Sequence, residues 1–265
     1  MARLAVTSFN IWMSGGKSLA HTSTIIGRLS AEEGVIGLQE CKPDIADHLA
    51  EELDLHAAVS DHHHAILSPW PILESLGATE GAWGGMGVTL DHPVIGPVNV
   101  FDCHLHWQDY GPYFLGQKKT ASFVVEREEA MRMEGLRAVL AMMKPAIDSG
   151  LPTFLVGDFN APSHLDYDDV PWPTSKACEA AGLVDAWRAV HAEVPSRPFG
   201  IGDHGITWSP LASEEPHGAF DRIDFVYVAR NPKVTAVAAD TLDDAYFEPW
   251  PSDHRAVRVA FEVST

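Results

Sequence analysis

Apolar runs of strand length recur along this chain, and stretches with helical spacing separate them. Runs at residues 4–11, 35–40, 65–68, 86–90, 98–106, 153–158, 224–228 and 257–261 are rich in Val, Ile, Leu and Phe, as expected of buried strands. Between them, residues 19–32 place Ile25, Ile26 and Leu29 at helical spacing, with Gly34 expected to cap the end. Residues 44–53 predict a second helix. Residues 126–143 predict the clearest one, with Met131, Leu136, Val139, Leu140 and Met143 on one face. A further helix begins at Ser175. Strands alternating with helices in this way predict an α/β fold. Two irregular stretches, 107–125 and 165–173, are aromatic and polar and are expected to be loops; loops that long in a compact domain are commonly functional. No linker, repeat or low-complexity tract interrupts the pattern, so residues 1–265 are expected to form a single domain.

The polar residues at the ends of the apolar runs carry the candidate chemistry. The run from Thr153 closes on Gly157-Asp158-Phe159-Asn160 before Pro162 stops the strand. Residues at i and i+2 of an extended chain point to one side, so Asp158 and Asn160 are expected to stand together, with Phe159 turned away. A carboxylate beside a carboxamide suits a site for Mg²⁺, water and a phosphate, although a lone tetrapeptide of this kind usually marks only an Asx-type turn. Glu40 closes the run 35–40 at the same topological place, and Asn10 closes the first run. In the run 98–106, Phe101, Cys103 and Leu105 share one face; Asp102, His104 and His106 share the other, expected to be the open one. Asp61-His62-His63-His64 is expected to be an exposed loop, since contiguous histidines cannot all converge on one ion.

Composition narrows the class. A chain of 265 residues folded as one unit buries roughly three quarters of its extended surface, so a large core is available. No apolar stretch is long enough to span a bilayer, and Met1-Ala2-Arg3 leads directly into a strand pattern, so neither a membrane anchor nor a signal peptide is expected. Three scattered cysteines (Cys41, Cys103, Cys178) fit neither a disulfide framework nor a zinc site and point to the cytoplasm. Eighteen Lys and Arg against thirty-seven Asp and Glu give a formal charge of −19, with no basic run. Nucleic-acid affinity comes largely from Lys and Arg displacing counterions at phosphates, so this balance weighs against a nucleic-acid partner.

Taken in order, Asn10, Gln39-Glu40, His104-Leu105, Gly157-Asp158-Phe159-Asn160, Arg222-Ile223-Asp224 and Ser252-Asp253-His254 closely resemble the motifs of the endonuclease/exonuclease/phosphatase superfamily, the metal-dependent phosphoesterases of deoxyribonuclease I-like fold. Ile66-Leu67-Ser68 with Pro71-Ile72, and Thr207-Trp208, also resemble structural motifs of that family; Pro69 departs from the arginine often found there. The resemblance implies a four-layer α/β sandwich, two mixed sheets face to face with helices outside. It implies that Glu40 holds Mg²⁺, or Mn²⁺, with Asn10 and Asp253 close to the ion. Asp158 would orient or deprotonate the attacking water, and Asn160 would bond a phosphate oxygen. His254 would pair with an aspartate, Asp224 in preference to Asp221. His104 would donate to a phosphate oxygen or to the leaving group. Whether Asp158 or His254 is the base stays open. The expected activity is hydrolysis of a phosphomonoester or phosphodiester of a small soluble compound. The alternatives are a nuclease acting on DNA or RNA, a lipid phosphodiesterase, and a non-catalytic binding module on the same fold.

Overall fold

The computed structural model describes residues 1–32, 34–196, 205–208 and 220–264. Strand β1 (Ala2–Asn10) is buried almost throughout, and a single turn, α1 (Trp12–Gly15), follows it with Met13 and Ser14 at φ of 51° and 69°. Helix α2 (Leu19–Ala31) starts at Ser18, whose hydroxyl accepts from the His21 N–H. Then come β2 (Gly34–Gln39), α3 (Pro43–Leu53), β3 (His56–Val59) and β4 (His64–Ser68). Strands β5 (Ile72–Ala78), β6 (Gly84–His92) and β7 (Gly96–His104) begin a second sheet. Helices α4 (Gly111–Gly116) and α5 (Ala121–Asp148) lead to β8 (Thr153–Asp158). After α6 (Pro173–Ala180), β9 (Leu183–Asp185), α7 (Ala186–Val190) and β10 (Asp224–Ala229), the chain returns with β11 (Val234–Leu242) and β12 (Ala256–Val263).

The result is two six-stranded mixed sheets, ordered β11-β12-β1-β2-β4-β3 and β5-β6-β7-β8-β10-β9. Alternation along each strand divides the apolar residues between layers. Leu4, Val6 and Val35 of the first sheet meet Val88, Val100, Val156 and Val226 of the second in a core between the sheets. On the outside, Phe9, Ile36 and Leu38 pack under Ile25, Ile26 and Leu29 of α2 and Leu49 of α3. Phe101, Leu155 and Phe225 pack under Met133, Leu136, Val139 and Met143 of α5. These are the four layers that the motif resemblance implied. Among the described residues, no helix is long and apolar enough to cross a membrane.

Several elements differ from expectation. Helix α5 begins at Ala121, inside the stretch 107–125 expected to be loop, and α4 occupies more of that stretch. Thr120 caps α5 by accepting from the Phe123 N–H, and Val124 and Leu115 bury themselves with Tyr167 and Trp172, so tertiary packing orders what looked irregular. Gly34 opens β2 instead of capping α2. His64 is no loop residue. It opens β4 and is 1 % exposed. The face of β7 that carries Asp102 and His104 is not open but lies between the sheets, continuing the row of Val98 and Val100.

Candidate active site

At one end of the sandwich the inner row of each strand changes from aliphatic to polar, and strand register sets the polar residues abreast. Parallel pairing puts His104 opposite Asp158, and antiparallel pairing puts Asp224 opposite Asp158 on its other side. In the first sheet, Asn10 stands opposite Gln39, which delivers Glu40 to the adjoining rim.

Asp158 is the hub. Its Oδ2 accepts from Asn10 Nδ2 at 2.9 Å, a contact between the two sheets, and its Oδ1 accepts from the Asn160 N–H at 2.8 Å. That second bond turns the chain at Asn160, which takes φ 49°, and aims its carboxamide back across the strand ends. Asn160 Nδ2 donates to the Leu105 carbonyl at 3.0 Å and lies 3.1 Å from His104 Nε2. His104 Nε2 is 3.4 Å from Asp158 Oδ2. Gly157 permits this crowding, because a Cβ there would fall 2.1 Å from the Cys103 carbonyl oxygen.

From the first sheet, Glu40 accepts from Asn10 Nδ2 at 3.3 Å and from the Met13 N–H at 2.8 Å, pinning the left-handed turn α1 to the site. Ser252 Oγ donates to the Asn10 carbonyl and accepts from the His254 N–H, which seats the 252–254 segment on β1. His254 Nδ1 lies 2.9 Å from Asp224 Oδ2, and its Nε2 lies 3.7 Å from Asp158 Oδ2. Asp224 is therefore the partner of His254. Asp221 instead accepts from the hydroxyls of Tyr110 and Tyr167, both at 2.7 Å. Of the eight residues singled out from sequence, Glu40, His104, Asp158, Asn160, Asp253 and His254 line one cleft of about 780 Å³, and Asn10 and Asp224 sit beneath it, bonded to Asp158 and His254.

Crowding charges in a dry place shifts their protonation. Burial and the neighbouring Asp224 charge push Asp158 up to about 7, against the pull of His254, Asn160 and Asn10. Burial works against a charged His254, but the carboxylates of Asp224 and Asp158 outweigh it and hold the imidazole well above its usual range. His104 goes the other way, held well below by burial and then by His64 and His254. Burial also raises Asp253.

The donor set fits a cation. Asp158, Asp224 and His254 bring ligand atoms within 4.8 Å of one another, a possible metal site. Asp224 Oδ1 and Asp253 Oδ1 are buried with no hydrogen-bond partner among the described residues. A buried carboxylate oxygen without a donor is costly, and a bound ion relieves it.

Two features escaped sequence reasoning. The first is a buried network: His64 Nδ1 lies 3.0 Å from Asp102 Oδ2, and Gln39 Nε2 donates to Asp102 Oδ1 at 2.5 Å. The alternation that places His104 inward also places Asp102 inward, so the signal was present but was assigned to an open face. The second is that Trp83 and Trp208 join the cleft lining from elsewhere in the chain, beside Trp107, Tyr110 and Tyr113 of the stretch 107–125, whose length and aromatic content already pointed to function.

The model of the endonuclease/exonuclease/phosphatase family matches residues 7–254. The chain belongs to this family. It is accordingly a phosphoesterase, with a buried Asp–Asp–His cluster consistent with a metal site. An uncharacterized protein of Caenorhabditis elegans is 26% identical over 252 residues, covering 84% of this chain and 78% of the relative. Among solved structures, D. rerio TDP2 complexed with a single-strand DNA product is similar with a TM-score of 0.67 and 16% identity, covering 99% of this chain and 100% of the other. The 3′ phosphatase NExo from Neisseria, bound to a product DNA hairpin, is similar with a TM-score of 0.63 and 17% identity, covering 99% of this chain and 100% of the other. At these identities the two structures share the family's two-sheet fold with this chain, and their substrates are their own.

Proposed function

We propose that this family member is a Mg²⁺-dependent phosphoester hydrolase of the cytoplasm, with Mn²⁺ as a substitute, acting on a small phosphorylated compound and not on nucleic acid. The observation that carries the reading is the composition of the cleft. Its floor holds Glu40, His104, Asp158, Asn160, Asp253 and His254. Among the described lining residues, Lys42 is the one lysine or arginine, against the carboxylates of Glu40, Asp61, Asp158 and Asp253. A nucleic-acid strand would need cations along such a groove. Free, buried cysteines support the compartment.

In this reading Glu40 and Asp253 hold the ion, with Asn10 bracing Glu40 through its carboxamide. When bound, it neutralises charge on the phosphate oxygens and so opens phosphorus to attack. Oxygen ligands suit a hard, water-bearing cation. The alternative seat at Asp158, Asp224 and His254 would need a neutral His254, whereas the carboxylates of Asp224 and Asp158 favour its charged form. Asp158 therefore receives the proton of the attacking water. His254, kept cationic by its two carboxylate neighbours, offers positive charge to the oxygens that gain charge in the transition state. His104 and Asn160 position a phosphate oxygen by hydrogen bonding.

Hydrolysis of a panel of phosphorylated metabolites, nucleotides and DNA, with Mg²⁺, Mn²⁺ or EDTA, tests the proposal. Glu40→Ala is expected to lower Mg²⁺-dependent kcat/KM by about a hundred-fold or more, and EDTA to abolish it. Undiminished Mg²⁺-dependent turnover in Glu40→Ala would reject the assignment of the ion.

A further inference from the structure

We propose that the cleft contains a seat for a flat conjugated ring on the face of Trp107, so that the favoured substrate is a phosphate ester whose alcohol portion carries such a ring, as a nucleoside does. The inference rests on the reading that the cleft floor splits phosphate esters, and it specifies what the rest of the cleft is for. A space of about 780 Å³ is in the range that encloses a whole small molecule, much more than one phosphate group. Above the polar floor its sides are Trp83, Trp107, Tyr110, Tyr113 and Trp208.

Most of these rings are already occupied with each other. Tyr110 meets Trp208 edge-on at 5.3 Å between centroids and Tyr113 at 5.1 Å, and Trp83 packs against His104 and His106. Trp107 is the exception. It is 58 % exposed and takes part in no ring pair among the described residues. Yet its backbone is firmly held. Arg132, 1 % exposed, extends from α5 and donates to the carbonyls of Trp107, Gln108 and Asp109, and is itself paired with Glu128 at 3.1 Å. A buried cation thus fixes the base of an indole whose side chain is left uncovered at the rim of the cleft. Fixing a platform before the ligand arrives reduces the ordering cost of binding. An indole face attracts a second flat ring by stacking in addition to burying its area. Charge limits the ring's company: the lining carboxylates Glu40, Asp61, Asp158 and Asp253 against Lys42 favour a compound bearing a single phosphate group over a polyanion.

The test compares adenosine 5′-monophosphate, ribose 5-phosphate and phosphocholine on wild type, Trp107→Ala and Trp107→Phe. Wild type is expected to prefer adenosine 5′-monophosphate to ribose 5-phosphate by about ten-fold or more in kcat/KM. Trp107→Ala should remove that preference, mainly through KM, by lowering kcat/KM at least about five-fold more for adenosine 5′-monophosphate than for ribose 5-phosphate, while Trp107→Phe keeps most of it. Equal rates on the two sugar phosphates in wild type, or an equal fall on both in Trp107→Ala, overturns the proposal. A fall confined to phosphocholine also overturns it, in favour of a cation-binding aromatic box. A second readout needs no turnover. Calorimetric titration with adenosine alone should show binding that weakens about ten-fold in Trp107→Ala. No heat with wild type up to about 10 mM would overturn the ring seat. Adenosine binding without hydrolysis of any of the three esters would leave the ring seat standing and sink the functional reading instead.

Discussion

Glu128 and Arg132 sit one turn apart on α5, both without exposed side-chain surface, and together they anchor the loop that carries Trp107. Burial pushes the Glu128 carboxyl up to about 7, although the Arg132 charge and the Gly111 N–H pull it down. A carboxyl whose pKa is higher folded than unfolded stabilises the fold fully below the unfolded value, and the benefit is lost as pH rises through the folded value. Wild type is therefore expected to lose stability between about pH 4.5 and 7, by up to ~3 kcal/mol from this residue. Glu128→Gln should flatten that slope, as read from urea midpoints at several pH values; an unchanged slope would count against the assignment. At this scale much of the site was legible in the chain. Asp158, Asn160, Glu40 and Asp224 are polar groups that end or begin otherwise apolar runs, and the ordered motifs tied them to Asn10, His104, Asp253 and His254. His64 was not legible, because three contiguous histidines look like a loop. Its partner Asp102 lies 38 residues away on the facing sheet, where local pattern gives no warning.

Strands and helices were legible where one face is uniformly buried. β1, β2, β7, β8 and β10 were predicted from apolar runs, whereas β3, β5 and β11 were not. The missed strands β3 and β5 lie at sheet edges, as does β11, and their mixed exposure leaves no periodic signal. The inner faces of β2 and β8 approach so closely at Gly37 that an added Cβ would stand 2.3 Å from Val156 Cγ2 and 2.7 Å from Asp102 Oδ1. Gly37→Ala is thus expected to force the two sheets apart locally and cost ~1–3 kcal/mol. Gly116→Ala, where a Cβ meets nothing within 4 Å, should stay within about 0.5 kcal/mol of wild type. Thermal melts of the two variants separate the outcomes, and equal stability would mean the sheets give way more readily than close packing allows.

The whole molecule carries a formal charge of −19, which bears on how it meets a substrate. Enzymes that grip polyanions through many phosphate contacts lose roughly 10³ to 10⁵ in affinity between 50 and 200 mM salt. For this protein kcat/KM on a small monoester is expected to change less than about three-fold over that range, since few phosphate contacts are involved. A steep fall with salt, together with cleavage of DNA, would instead favour a nuclease. The chemistry is also divided between the sheets: Asn10 and Glu40 come from the first, and His104, Asp158, Asn160 and Asp224 from the second. The closing strand β12 pairs directly with β1, the opening one, and Asp253 and His254 sit immediately before it. Loosening the β1–β12 pairing would therefore unseat Asp253 and His254 together while leaving the groups of the second sheet in place.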